Sequence, residues 1–211
     1  MKKKNYLLKK FVNNDKLFNS CLEIIKKEKY IMISGGTTFF PLHTLLANLK
    51  NIHLINIALS DERIVDQKKN LKSNFYNLSK NIKKNKNIKI LGFKKNIHKT
   101  IKSKILSFFE KEIPLQKIKK VFISPGEDGH FASIFNKSEI LQTSKNYEII
   151  KKNNKTIRLT LKFDFFKKNK IYIVLNKKKN NILNMIKSNN SKYPIVKLIQ
   201  KCKKKVTIIY V

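Results

Sequence analysis

The chain has 211 residues, a length that buries roughly 70% of the surface its unfolded form exposes and needs no covalent or metal staple. Hydrophobic residues make up 41% of it, enough for a packed core and against global disorder. The formal charge is +35, yet only Arg63 and Arg158 are arginine among 48 basic residues. Base-reading sites lean on the bidentate arginine fork, so the excess reads as compositional drift toward lysine, asparagine and isoleucine.

Leu17, Phe18, Cys21, Leu22, Ile24 and Ile25 recur at helical spacing behind Asp15, a candidate cap. Tyr30 to Ile33 reads as a buried strand that ends at Ser34-Gly35-Gly36. The pattern from Phe39 to Leu49 is helical, with Pro41 tolerated in the first turn. His53 to Leu59 is a second strand ending at Ser60-Asp61-Glu62-Arg63. A short helix holds Phe75 to Leu78, capped by Ser73 or Asn74, and Ile88 to Leu91 is a third strand.

Ile101, Ile105, Leu106, Phe108 and Phe109 line a long helix, and Val121 to Ile123 is a fourth strand before Ser124-Pro125-Gly126-Glu127-Asp128-Gly129-His130. The second half is less regular. Strands are expected at Tyr147 to Ile150, Thr156 to Leu161, Ile171 to Leu175 and Val206 to Val211, with helices at Asn180 to Ile186 and Pro194 to Ile199. Such alternation predicts an α/β fold: a mostly parallel, Rossmann-like open sheet flanked by helices on both faces, with a smaller β-containing elaboration in the second half. With no linker and no repeat, residues 1–211 read as one domain.

Several classes drop out. Cys21 and Cys202 lie far apart without CxxC spacing, so neither a disulfide framework nor a zinc site is indicated. No apolar run reaches the roughly 18 residues of a membrane span. The apolar stretch near the N-terminus is broken by Lys9 and Lys10, unlike a secretory signal. The expectation is a cytoplasmic chain with no membrane contact, no cofactor and no metal, monomeric or weakly oligomeric. Specific nucleic-acid binding is not expected, although +35 favours non-specific polyanion binding.

Only five glycines are present, and they sit at strand ends, where open α/β sheets place ligands. Ser34, Gly35, Gly36, Thr37 and Thr38 can offer backbone N–H groups and hydroxyls at a helix start, a pocket for an anion. The loop is neither a P-loop nor a GxGxxG fingerprint. Asp61 and Glu62 place two carboxylates beside Arg63, whose rarity marks it as functional. Arg158 is the only other arginine, on an expected strand. Asp128, two residues before His130 across a glycine, can orient the imidazole and fix its tautomer. His43, His53 and His98 lack such company and read as structural or exposed. No GxSxG elbow supports a serine nucleophile.

Ile33-Ser-Gly-Gly-Thr37, Ser60-Asp-Glu-Arg63 with Ser73-Asn74, and Gly126-Glu-Asp-Gly-His-Phe-Ala-Ser-Ile-Phe135 together resemble the family that holds 6-phosphogluconolactonases and glucosamine-6-phosphate deaminases. The resemblance runs on through Thr156-Ile-Arg-Leu-Thr160, Lys179 and Pro194, so it spans nearly the whole chain. Asp-Glu-Arg and Asp-Gly-His-x-Ala-Ser-hydrophobic-Phe look like the lactonase branch; the Asp-Glu-Tyr and Asn-Glu pairs of the deaminase branch are missing. Ser124-Pro125, Asn136 and Asn176 depart from the pattern, the last leaving Lys177, Lys178 and Lys179 as neighbouring candidates for one phosphate-binding lysine.

The resemblance implies hydrolysis of a phosphosugar lactone, 6-phospho-D-glucono-1,5-lactone, with water as nucleophile. His130 would be general base, Asp128 its orienting partner, and Arg63 would serve the oxyanion or the sugar, with Asp61 beside it in the catalytic set. The Ser34–Thr38 loop, Arg158 and Lys179 would hold the phosphate. Two other readings remain: a deaminase-like sugar-phosphate isomerase, and a basic nucleic-acid-binding protein with relic enzyme motifs.

Overall fold

In the computed structural model, residues 5–65, 71–82, 84–92, 97–151 and 156–211 are described; the lysines at 2–4 lie outside them. Seven strands form a parallel sheet in the order β1 (Tyr6–Lys10), β11 (Val206–Tyr210), β10 (Lys170–Leu175), β6 (Lys120–Ile123), β2 (Tyr30–Ile33), β3 (Ile55–Leu59) and β5 (Ile88–Leu91). A second, antiparallel sheet runs β4 (Asp61–Arg63), β9 (Ile157–Leu161), β8 (Tyr147–Lys151), β7 (Glu139–Thr143).

Alternate residues of the large sheet face two separate cores. Ile31, Ile33, Ile55, Ile57, Phe122 and Val174 pack under α1 (Asn14–Ile25), α2 (Phe40–Ala47) and α3 (Asn74–Ile82). Met32, Ala58, Val121, Ile123, Ile173 and Ile208 pack under α4 (Lys102–Glu112), α5 (Phe163–Lys168), α6 (Asn180–Ser188) and α7 (Pro194–Lys201). The small sheet joins this second core through Tyr147, Ile149, Leu159 and Leu161. Near-continuous apolar strands are what a parallel sheet covered on both faces requires. Cys21 and Cys202 are free thiols in opposite cores, and burial pushes them up to about 12 and about 11.

The expected α/β architecture is present, with local differences. Asn13, not Asp15, caps α1: its side chain accepts from Lys16 N. Ile101 precedes α4 and stands 64% exposed, so it does not line that helix. Strand β1, whose Lys9 and Lys10 break the apolar run, pairs along the outer edge of β11, where side chains need not be buried. Strand β7, also at an edge, and helix α5 are further elements without a clean periodic signal. Ser73 caps α3, its hydroxyl accepting from Tyr76 N at 3.0 Å.

The chain runs outward from β2 through β3 to β5, then returns to β6 and runs the other way through β10 to β11. The direction therefore reverses between β2 and β6. Open parallel sheets hold ligands beyond the carboxyl ends of strands at such a switch point.

Candidate active site

The two loops singled out in the sequence leave the sheet on either side of that reversal. Ser34 continues β2, donating its N–H to Phe122 O on β6 at 2.9 Å. Its hydroxyl is buried and lies 3.1 Å from Ser60 Oγ at the end of β3. Gly35 is packed: a Cβ there would lie 2.3 Å from Asn74 Cβ. Gly36 and Thr37 are exposed, and Thr38 is buried in the 3-10 turn Thr37–Phe39 that leads into α2.

After β6 the chain forms a tight loop closed by Gly126 N to His130 O at 2.8 Å and Gly129 N to Gly126 O at 2.9 Å. Asp128 Oδ1 accepts from His130 N at 3.2 Å and pairs with His130 Nδ1. The imidazole lies where a Cβ at Gly126 would be, 2.0 Å from Cε1, so only glycine lets this ring sit against its own loop. Lys179 donates from Nζ to Pro125 O, which brings the lysine from beyond β10 onto the same loop. Burial lowers its ammonium from the ordinary lysine value, and Glu127 opposes that shift. Lys177 and Lys178 are exposed, so of the three neighbours Lys179 is the one held at the loop.

The small sheet contributes the arginines. Asp61–Arg63 pairs antiparallel with β9 so that Asp61 faces Thr160 and Arg63 faces Arg158. Asp61 is buried; its carboxylate accepts from Ser133 Oγ at 2.7 Å and from Ser60 Oγ at 3.1 Å. Arg158 Nη1 reaches Ser133 Oγ at 3.5 Å. Burial lowers the Arg158 guanidinium from its ordinary value; Asp61 opposes that shift and Arg63 adds to it. Arg63 Nη1 donates to Lys72 O at 2.7 Å.

Phe135 joins the two halves. Its ring centroid lies 4.5 Å from that of His130 and 5.4 Å from the Arg158 guanidinium carbon, within cation–π range. His130, Asp128, Arg158, Arg63 and Asp61 are thus linked through Phe135, Ser133 and the strand register. Lys179 and Ser34 flank the same strand ends.

Sequence reasoning named Glu62 as a carboxylate beside Arg63 without giving it a role, and it did not single out Ser133 or Phe135. Glu62 is 3% exposed and accepts from Arg63 N at 2.6 Å, Asn74 N at 2.8 Å, Phe75 N at 2.6 Å and Ser73 Oγ at 3.2 Å. Burial pushes this carboxyl up to about 7 against those hydrogen bonds. All three residues lie inside motifs already quoted, but their partners are distant in sequence. His43 is fully buried, while His53 and His98 are exposed. Among the described residues no group of three or more His, Cys, Asp or Glu could hold a metal ion, and no helix is long and apolar enough to cross a membrane.

The fold is that of a doubly wound α/β protein, with a histidine–carboxylate pair and two facing arginines near the carboxyl ends of its strands. Residues 14–208 match the family described as glucosamine-6-phosphate isomerases/6-phosphogluconolactonase, and the chain belongs to it. Among solved structures it is similar to a 6-phosphogluconolactonase from Shewanella baltica OS155, with a TM-score of 0.82 at 21% identity over 97% of each chain. One from Thermotoga maritima gives a TM-score of 0.72 at 22% identity, over 98% of this chain and 99% of that one. A monomeric glucosamine-6-phosphate deaminase gives 0.71 at 12% identity over 96% of each. No curated protein matches the sequence.

Proposed function

We propose that the chain hydrolyses 6-phospho-D-glucono-1,5-lactone to 6-phosphogluconate. The observation that carries this reading is the His130–Asp128 pair, joined through Phe135 to Arg158, whose strand partner is Arg63. With Nδ1–H donated to Asp128, the imidazole presents Nε2 as the proton acceptor. His130 takes a proton from water as the water oxygen bonds to C1 of the lactone. The negative charge that develops on the carbonyl oxygen is stabilised by a guanidinium, and Arg63 is the candidate, for the oxyanion or for the sugar. The C1–ring oxygen bond then breaks, and the proton on Nε2 passes to the leaving ring oxygen. Asp128 stabilises the imidazolium between the two transfers.

The phosphate is a handle remote from C1, so fixing it converts binding energy into orientation. The Ser34–Thr38 loop, Arg158 and Lys179 are assigned to it. Asp61, with Ser60 and Ser133 bonded to its carboxylate, holds the two halves of the site together. The route uses side chains and water alone, with no cofactor.

The test supplies the lactone from glucose-6-phosphate dehydrogenase and follows 6-phosphogluconate, with spontaneous opening subtracted. Wild type is expected above background and His130→Ala at background. A flat wild-type trace from folded protein overturns the reading. Release of ammonia from glucosamine 6-phosphate would then favour the deaminase chemistry that one structural relative carries.

A further inference from the structure

Glu62 belongs to neither the proton-transfer pair nor the phosphate set, yet it touches the supports of both. Its Oε1 accepts the main-chain N–H of Arg63, while the far end of the same arginine donates from Nη1 to Lys72 O. Arg63 is therefore held at its main chain by Glu62 and at its far end by the segment that leads into α3. Glu62 also takes the N–H groups of Asn74 and Phe75 and the hydroxyl of Ser73. Asn74 in turn donates from Nδ2 to Asp61 O at 3.0 Å, and its side chain fills the space that a Cβ at Gly35 would need. One carboxylate thus fixes three things together: the strand with both Asp61 and Arg63, the first turn of α3, and the loop at Gly35.

Helix capping alone does not account for this arrangement. Helix α3 already has a cap in Ser73, whose hydroxyl accepts from Tyr76 N. A buried carboxylate is costly unless it is fully hydrogen-bonded, and Glu62 meets that condition with three backbone N–H donors and one hydroxyl. Glutamine at this position would bring an NH2 group up against donors, with one acceptor oxygen left for them.

We propose that Glu62 is a positioning residue: it rivets the strand bearing Arg63 to the start of α3 and so sets Arg63 relative to the Gly35 loop. The kinetic part of this proposal rests on the lactonase reading; the structural part does not.

The chain has only two arginines, so an arginine-selective 15N spectrum carries two Nε–H signals, assigned by Arg63→Ala and Arg158→Met. In Glu62→Gln, with cooperative unfolding retained, the Arg63 signal is expected to move or broaden while that of Arg158 stays. The value of kcat/KM should fall about 10- to 100-fold, as for a displaced catalytic group. Its division between kcat and KM should match that of Arg63→Ala, and the double variant should be no slower than Arg63→Ala alone.

An unmoved Arg63 signal, or losses that multiply in the double variant, overturns the proposal. Glu62→Asp, which keeps the charge but falls one methylene short, carries the same expectations should the glutamine variant not fold. A wild type without lactonase activity sinks the functional reading alone, and the two arginine signals still decide the role of Glu62.

Discussion

Arg63 and Arg158 stand directly opposite each other in the antiparallel pair of β4 and β9. Like charges in that register destabilise a sheet, by about 0.2–1 kcal/mol in typical pairs, and Asp61 offsets part of the repulsion at Arg158. A phosphate held at Arg158 would relieve the rest. Inorganic phosphate and 6-phosphogluconate are therefore expected to raise the Tm of the wild type. Arg158→Met should abolish that rise and weaken 6-phosphogluconate binding roughly 10- to 100-fold, the worth of a lost charged hydrogen bond. Thermal scans with and without phosphate and a calorimetric titration check both; equal Tm shifts in the two proteins would count against Arg158 as a phosphate ligand.

The His130 imidazole occupies the place of an absent Cβ on Gly126. Gly126→Ala is thus expected to expel the ring from its loop and bring lactone hydrolysis close to the level of His130→Ala, a fall of about 100- to 10,000-fold in kcat. Steady-state kinetics and a denaturant titration on the same sample separate this from unfolding. Stability should change by only about 1 kcal/mol, because the displaced ring lies at a loop that is partly open to solvent.

Lys179 is held at the Pro125 carbonyl, whereas Lys177 and Lys178 point into solvent. Lys179→Met should raise KM for the lactone about tenfold with a smaller effect on kcat. The same change at Lys177 or Lys178 should leave both within about twofold, as for surface charges. Comparable KM effects at all three positions would mean that the lysines act only as a diffuse positive field.

His43 is fully buried on α2, and neither ring nitrogen has a hydrogen-bond partner among the described residues; burial pulls it down from 6.5 to about 4. The folded protein keeps this ring neutral, while the unfolded chain protonates it near pH 6.5. Its contribution is complete above that pH and is lost as the pH falls from about 6.5 to about 4, up to about 3 kcal/mol in all. Urea titrations at pH 7.5 and pH 5, values chosen to bracket most of that window, should show His43→Leu losing less stability on acidification than the wild type. An equal loss in both proteins would rule out His43 as a source of the acid sensitivity.

Strands β2, β3, β5 and β6 were legible because they are short apolar runs that end at Ser34, Ser60, Gly92 and Ser124, a pattern that survives heavy lysine substitution on exposed faces. The edge strands β1 and β7 were not. An edge is specified by the partner it pairs with, and its own residues can be as polar as Tyr6–Lys10. The position of Lys179 among three lysines was also hidden, since burial of one depends on the turn after β10 rather than on composition.

At the candidate site, local sequence determined what lies within a few residues. His130 with Asp128 across Gly129, and the Ser34–Thr38 loop, follow from short-range backbone geometry. Only the tertiary structure set Arg63 against Arg158, tied Ser133 to Asp61 across 72 residues, laid Phe135 between His130 and Arg158, and closed Glu62 onto the start of α3. The reason is physical. A loop's conformation depends on its own dihedral angles and glycines, whereas the meeting of distant polar groups depends on strand register and on burying both cores at once. A sequence lists the groups; their partners are chosen when the sheets close.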